Sequence, residues 1–257
     1  MLSRNLEKAR EAFLHQDKLS SRLAHEQKSS EPHKLQGKYL KSAVYGGMDG
    51  IITTFAVVAG VGGAALSSSI VLILGFVNLI ADGLSMAIGD YLSTKSEREY
   101  QKAERTREAW ELDNYPQGER KEMVEIYMRK GVSKKDAELA VKALSKNRDA
   151  FINIMMVEEL GIIEEDTSPV KNALVTFLSF AVFGFVPLFA FVFSSLFPLH
   201  EFLAAIILTG ATLFALGALR TNFTGRNWLL SGTEMLVVGG IAAGAAYLMG
   251  VLLGGLV

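Results

Sequence analysis

The sequence predicts an all-α integral membrane protein with five transmembrane helices and a three-helix cytoplasmic insert between the second and the third. Three observations predict this fold class. Apolar residues make up 50% of the 257 residues, and they concentrate in segments of about 20 residues, the length that crosses a hydrocarbon core. One highly charged stretch interrupts these segments. Lysine and arginine lie on one predicted side only, which orients the helices.

Four regions follow from this pattern. In chain order they are a charged cytoplasmic segment, two transmembrane helices, an acidic helical insert and three further transmembrane helices. Their predicted boundaries are 1–40, 41–92, 93–169 and 170–257.

The amino-terminal region predicts an amphipathic surface helix, because apolar side chains recur there at helical spacing among charged ones. These side chains are Leu2, Leu6, Ala9 and Phe13. The helix would contact either the membrane interface or another part of the protein. No apolar segment of signal-peptide length occurs in this region, so the first span is expected to act as its own insertion signal.

The first two predicted spans carry polar residues within apolar helices. The first, about 42–66, contains Asp49 and several glycines, small residues that let helices approach closely in lipid. The second, about 70–92, has a polar stripe and ends near Asp90, which we expect to be solvated. The stripe includes Asn78, Asp82, Ser85 and Met86.

The insert is dense in charge and lacks long apolar runs. Pro116 and Gly118 separate its first predicted helix from the second. Gly131 is a candidate C-cap, and Ser133 then begins a capping box for a third helix, predicted over about 134–160. A bundle of this size hardly supports an independent core.

Three more spans are predicted at about 173–193, 202–219 and 228–253. The first of these contains Pro187, and the last contains Glu234 near its start. Of the 26 basic residues, nine lie before residue 42, fourteen lie in the insert and three adjoin spans at the same side. This asymmetry predicts a cytoplasmic amino terminus and insert, and a carboxyl terminus on the opposite side.

Several function classes lose support from composition and motifs. The net charge of −1 gives no general attraction to nucleic acid. The absence of cysteine excludes thiolate metal sites and cysteine nucleophiles. No ATP-binding, dinucleotide or nucleophile-elbow motif is present, so we do not expect an enzyme. The four histidines lie outside the acidic clusters, which argues against a ferritin-like di-iron site.

Carboxylates inside predicted spans need an explanation, because each costs about 2.5–3.5 kcal/mol at a helix centre. Asp49 and Asp82 either line an ion or proton pathway, make helix–helix hydrogen bonds, or lie close enough to the membrane interface to be hydrated. Asn78, Asp82 and Met86 are spaced i, i+4 and i+8, so they share one helix face. Two oxygens and a thioether favour a transition ion such as Fe²⁺, although a lone methionine usually packs in a core.

The insert contains glutamate pairs at i, i+3 spacing, each of which faces one way on its helix. The pairs are Glu108 with Glu111 and Glu119 with Glu122. A further group on the third predicted helix consists of Met155, Met156, Glu158 and Glu159. From spacing alone these residues form either a metal site or an ordinary solvated acidic face beside core methionines.

Three short motifs carry a resemblance to a known family. They are Met48-Asp49-Gly50-Ile51-Ile52 with the following Ala59-Gly60, Ser85-Met86-Ala87-Ile88-Gly89-Asp90-Tyr91-Leu92, and Met155-Met156-x-x-Glu159-Leu160-Gly161. At these positions, and in the order of its spans and insert, the chain resembles the vacuolar iron transporter family, which includes yeast and plant vacuolar iron importers.

The resemblance implies a homodimer in the lipid bilayer that moves Fe²⁺, and often Mn²⁺, out of the cytosol in exchange for protons. It places Asp49 and Met86 on the membrane pathway. It implies no prosthetic group, and Fe²⁺, Mn²⁺ or Zn²⁺ as the bound ion. The insert residues that match the family's metal-binding positions are Glu108, Glu111, Glu119, Glu122, Met155, Met156 and Glu159.

One position departs from the family pattern. Where a second-span glutamate is expected, eight residues before Met86, this chain has Asn78, and Asp82 follows one turn later. Either Asp82 replaces the glutamate from the same face, or proton exchange is weakened and ion preference is altered.

The sequence therefore predicts a transporter that exports metal from the cytosol. Its membrane would be that of a vacuole in a eukaryote or the plasma membrane in a bacterium. Metal gathered at the insert would pass a membrane site that includes Asp49, Asn78, Asp82 and Met86, with Glu234 as a further candidate. The alternative is a membrane-anchored metal buffer or sensor, although an anchor has no need of intramembrane carboxylates.

Overall fold

A computed structural model describes residues 6–26, 39–163, 167–197, 199–224 and 227–256. Within these ranges the chain is helical and contains no β-strand. Two compact units can be distinguished, residues 1–41 and residues 42–257, and each is described by itself.

The first unit contains a pair of short helices, α1 (Leu6–Leu14) and α2 (Lys18–Glu26). Asp17 begins the second helix, because its Oδ1 accepts a hydrogen bond from the backbone N–H of Leu19 at 2.9 Å. Ala12 and Ala24 are buried, whereas Phe13 is exposed. A helix at the predicted position is thus confirmed from Leu6 onwards, while Leu2 lies outside the described residues.

Eight further α-helices follow along the described chain, with one short 3-10 helix, Ser194–Leu196, between the sixth and the seventh of them. They are α3 (Leu40–Gly63), α4 (Ser68–Asn114), α5 (Pro116–Arg129), α6 (Lys134–Leu144), α7 (Arg148–Glu158), α8 (Pro169–Val192), α9 (Glu201–Thr224) and α10 (Trp228–Gly254). Five of these, α3, α4, α8, α9 and α10, are long and apolar enough to cross a membrane. This confirms the five predicted spans.

Helix α4 passes from the membrane segment into the insert without a break. It contains 47 residues and is about 70 Å long at 1.5 Å per residue. The predicted boundary at residue 93 therefore marks a change of composition within one helix. No proline or glycine occurs between Asp90 and Asn114, so nothing ends the helix before Pro116, which disfavours helical geometry at Tyr115.

The third predicted insert helix is in fact two helices, α6 and α7, so the prediction of a three-helix insert was wrong. The described insert consists of the end of α4 followed by α5, α6 and α7. Asn147 causes the break, because its side chain accepts a hydrogen bond from the backbone N–H of Ala150 at 3.0 Å and caps α7. The turn brings Phe151 and Ile152 into the buried core of the insert.

The predicted start of α6 is confirmed. Gly131 has a φ of +93°, a left-handed conformation that suits glycine. Ser133 then caps the helix, because its Oγ accepts a hydrogen bond from the backbone N–H of Asp136 at 3.3 Å. Its own hydroxyl donates to the Asp136 carboxylate at 2.6 Å.

Glycines set how closely the membrane helices approach one another. A Cβ atom on Gly50 of α3 would lie 2.3 Å from the backbone oxygen of Phe180 on α8. A Cβ atom on Gly46, one turn earlier, would lie 2.5 Å from the backbone oxygen of Thr176. Both distances are too short for real carbon atoms, so α3 and α8 pack backbone to backbone at these positions. Pro187 lies inside α8, as predicted.

Candidate metal site

Three glutamates from three helices converge in the insert. Glu108 lies near the end of α4, Glu119 lies in the first turn of α5, and Glu159 caps the end of α7. Each offers a carboxylate oxygen, and these oxygens lie within 4.8 Å of one another. This spacing could hold one cation between three oxygen ligands, the kind of group that hard and borderline divalent ions accept.

The local sequence explains why the three helices meet. Pro116 starts α5 directly after α4 ends, which reverses the chain and places Glu119 beside the last turns of α4. The cap at Asn147 orients α7 towards the same place. Apolar side chains from α4, α5, α6 and α7 pack beneath the cluster. They are Leu112, Met123, Ile126, Val141, Phe151, Ile152, Met155 and Met156.

Burial makes the three carboxylates unusually basic. Glu108 is completely buried, Glu119 is 8% exposed and Glu159 is half-buried. Removal from water raises the pKa of each carboxyl to about 7, and repulsion between the neighbouring negative charges adds to the effect. The Arg107 guanidinium opposes this rise at all three groups. One arginine therefore faces a cluster that carries up to three negative charges.

One carboxylate oxygen of Glu108 has no hydrogen-bond partner among the described residues. Its Oε1 accepts a hydrogen bond from Nη2 of Arg107 at 2.9 Å, and the same nitrogen contacts Oε2 of Glu104 at 2.8 Å. Oε2 of Glu108 is buried and accepts no hydrogen bond from the described residues. A buried unpaired carboxylate oxygen is costly, and a bound cation would satisfy it.

The other predicted insert residues surround this cluster. Glu111 is half-buried and Glu122 is exposed, and the charges of both act on the pKa of Glu119. Met155 lies one turn before Glu159, whose backbone N–H donates to the Met155 carbonyl at 3.0 Å. Met155 and its neighbour Met156 are buried in the insert core. Their packing role is plain, and a ligand role stays a prediction.

In the membrane segment the structure brings together the acidic residues of the first two spans. Asp49 on α3 is half-buried, and its charge is close enough to that of Asp82 on α4 to repel it. Asn78 binds α4 to α3, because its Nδ2 lies 3.4 Å from the hydroxyl oxygens of both Thr53 and Thr54. The residue that departs from the family pattern thus holds the two helices together beside the acidic pair.

Three predicted residues of the membrane helices, Met86, Asp82 and Glu234, have different surroundings. Met86 is half-buried and packs against the apolar core of the membrane helices. Asp82 is exposed on the surface of the single chain. Glu234 is exposed on α10. Its role as a site residue stays untested.

A polar network near the insert end of the membrane helices was missed by sequence reasoning, which expected Asp90 to be solvated. Asp90 is half-buried, and its carboxylate accepts hydrogen bonds from Thr176 at 2.5 Å and from Thr94 at 3.4 Å. Asn172 donates to the Thr94 hydroxyl at 3.0 Å. The available signal was the i, i+4 spacing of Asp90 with Thr94 and of Asn172 with Thr176.

The model of the VIT family matches residues 40–251, which is most of the chain and includes both the membrane helices and the insert. The chain belongs to the VIT family. The resemblance predicted from three short motifs is therefore confirmed.

Named relatives of this VIT-family chain are similar over most of its length. The vacuolar iron transporter of Toxoplasma gondii is 40% identical over 268 residues, covering 97% of this chain and 89% of the relative. That of Plasmodium falciparum is 37% identical over 267 residues, covering 98% of each. Vacuolar iron transporter 1 of Arabidopsis thaliana is 33% identical over 221 residues, covering 85% of this chain and 87% of the relative.

Proposed function

We propose that this VIT-family protein transports Fe²⁺ across a membrane, with Mn²⁺ as a second substrate. The observation that carries the proposal is the group of three converging glutamates, with a buried open oxygen on Glu108, at the end of a helix that also spans the membrane. The relatives named vacuolar iron transporters support iron as the substrate. A vacuolar membrane is the corresponding location.

The insert collects the ion. Glu108, Glu119 and Glu159 supply oxygen ligands, and the flanking Glu111 and Glu122 strengthen the negative field that attracts a cation. Met155 and Met156 lie beside this cluster at the end of α7. A thioether from either would favour Fe²⁺ over Mg²⁺ or Ca²⁺, because softer ligands select transition metals.

The membrane site then receives the ion. Asp49 and Asp82 provide carboxylates whose mutual repulsion a cation relieves, while Asn78 fixes their helices and Met86 adds a sulfur one turn from Asp82. A carboxylate that binds either a proton or a metal ion couples the two by competition. Proton antiport follows if these groups pick up protons on the side where the metal leaves.

Orientation and assembly complete the proposal. The lysine and arginine distribution supports a cytosolic amino terminus and insert, and in this orientation transport removes metal from the cytosol. In the single chain the membrane part of α4 leaves Asp82 exposed, and it also exposes apolar side chains on its other sides, such as Ile73 and Ile80. A second copy packed there would shield Asp82 from lipid and form a homodimer.

Metal uptake into proteoliposomes against an imposed pH gradient tests the pathway. Asp49→Ala and Met86→Ala should each lower the initial rate of Fe²⁺ uptake by about tenfold or more, because each removes a ligand. Thr233→Val is the matched control, since in the described part of the chain its hydroxyl donates to backbone oxygens of its own helix. Unchanged uptake in both pathway variants would contradict the proposed route.

A further inference from the structure

The hydrogen-bond network around Asp90 has a consistent direction. Asn172 donates its amide N–H to the Thr94 hydroxyl, the Thr94 hydroxyl donates to one carboxylate oxygen of Asp90, and Thr176 donates to the other. The two threonine hydroxyls thus donate directly to the Asp90 carboxylate, and Asn172 donates to one of these hydroxyls. Both carboxylate oxygens retain further lone pairs for a ligand.

One acceptor in this network has no partner. Asn172 is only 9% exposed, and its Oδ1 is buried without a hydrogen bond from any described residue. Its amide group lies beside Thr94, because its Nδ2 is 3.0 Å from the Thr94 hydroxyl. A buried amide oxygen of this kind usually accepts from water or coordinates a cation.

The Asp90 carboxylate has no paired cation among the residues that the structure describes. Among the described residues Asp90 forms no ion pair, and the guanidinium two turns further along α4, that of Arg98, donates instead to the backbone oxygen of Thr167 at 3.3 Å. Asp90 lies about 27 Å along α4 from Glu108 and about 12 Å from Asp82, at 1.5 Å per residue. The network is thus located between the insert cluster and the acidic pair of the membrane segment.

We propose that the Asp90 carboxylate and the Asn172 amide oxygen form an additional binding site for a divalent cation at the insert-facing end of the membrane helices. Thr94 and Thr176 hold the Asp90 carboxylate in position. A site built from oxygens accepts Mn²⁺ and Fe²⁺ and replaces part of their hydration shell. The role of the site as an entry point rests on the proposed transport function, whereas its ability to bind a cation does not.

Mn²⁺ titration of the purified full-length protein tests the site, with free Mn²⁺ followed by electron paramagnetic resonance. All variants are made in a protein that also carries Glu108→Gln, Glu159→Gln and Asp49→Asn, which weaken metal binding at the insert cluster and at the acidic pair of the membrane segment. Asp90→Asn should then weaken the remaining Mn²⁺ affinity by about tenfold or more, the loss expected when a metal ligand is altered. Asn172→Asp should strengthen the affinity, because it adds a second charged oxygen ligand.

A purely structural clamp between α4 and α8 predicts a different pattern. It would leave Mn²⁺ affinity unchanged in Asp90→Asn and would give no gain in Asn172→Asp, and either result would overturn the proposal. Thr176→Val and the control Thr233→Val calibrate the stability effect of losing a hydroxyl in a span. In proteoliposomes Asp90→Asn should raise the half-saturating Mn²⁺ concentration. If the unaltered protein showed no flux, the proposed transport function would be refuted. The Mn²⁺ titration would still decide whether the Asp90 site binds a cation.

Discussion

At the scale of single residues, the carboxylate of Glu108 is the most informative feature. It is completely buried, one oxygen contacts Arg107, and the other has no described partner. A chain that folds with such a group accepts a stability cost unless a ligand satisfies it. Glu119 and Glu159 lie close enough to share that ligand.

The raised pKa values predict how stability depends on pH in the metal-free protein. Glu108, Glu119 and Glu159 have pKa values of about 7 in the folded chain against a reference of 4.5. The folded state therefore binds more protons than the unfolded state between these values, and stability falls as the pH rises through this window. The melting temperature in chelator should be lower at pH 8 than at pH 5.5.

Melting of the full-length protein in detergent, followed by circular dichroism, measures this effect. Added Mn²⁺ should restore the melting temperature at pH 8, and Glu108→Gln should flatten the pH dependence. Glu125→Gln is the control, since Glu125 is exposed on α5 and pairs only loosely with Lys121 at 3.9 Å. A metal-free protein that is more stable at pH 8 than at pH 5.5 would contradict the raised pKa values of the three glutamates.

The residues of the insert cluster could be named in advance only through the family resemblance. The sequence places Glu108 and Glu119 on two separate helices, and it does not show that Glu159 on a third helix meets them. The network of Asp90 was missed for a related reason. A carboxylate at a helix end usually faces water, and the partners Thr176 and Asn172 lie on a helix about 80 residues later in the chain.

At the scale of secondary-structure elements, the five spans were predictable because membrane thickness fixes their length and composition. Each predicted span lies on a helix of the structure with ends that differ by a few residues, apart from α4, which continues into the insert. The sequence signal that mattered there was the missing helix breaker between Asp90 and Asn114. The break between α6 and α7 depends on the side-chain cap of Asn147, a weaker signal than glycine or proline.

Because α4 is continuous, we predict that a break between its two acidic regions will stop transport without abolishing metal binding. Glu99 is an exposed residue of α4 between the membrane segment and the insert cluster. Glu99→Pro should kink the helix at a cost of about 3 kcal/mol and so misalign the two regions. Mn²⁺ binding to the full-length protein should persist while the initial rate of uptake falls.

Glu99→Ala is the matched control, because it removes the same carboxylate and preserves the helix. Binding and uptake are compared in the same preparations of the three proteins. Normal uptake in Glu99→Pro would show that the rigid connection through α4 is unnecessary.

The close packing of α3 on α8 predicts that two glycine-to-alanine variants differ in stability. Gly50→Ala forces a Cβ atom against the Phe180 backbone oxygen, and overpacking of this kind costs about 1–3 kcal/mol. Gly244→Ala on α10 has nothing within 4 Å of the added atom and should be nearly neutral. Thermal melting in detergent compares the two, and equal melting temperatures would contradict the backbone-to-backbone contact.

At the scale of the whole molecule, two acidic regions lie on one continuous helix. The insert cluster contains Glu108 near one end of α4, and Asp82 lies on the membrane part of the same helix, where its charge acts on Asp49 of α3. A metal buffer needs only the first region, whereas a transporter needs both. Membership in the VIT family agrees with a transporter. The intramembrane carboxylates give the physical reason, because a metal buffer does not need them.

The most direct test is the number of metal ions that each protein molecule moves. Unaltered protein in sealed proteoliposomes is supplied with Fe²⁺ under anaerobic conditions, and the metal inside is measured with a trapped chelating dye. Transport predicts that internal Fe²⁺ keeps rising far beyond the number of sites on the protein, and that Asp49→Ala abolishes the rise. Uptake that stops at a few ions per protein, with an empty lumen, would contradict transport and leave a membrane-anchored metal buffer.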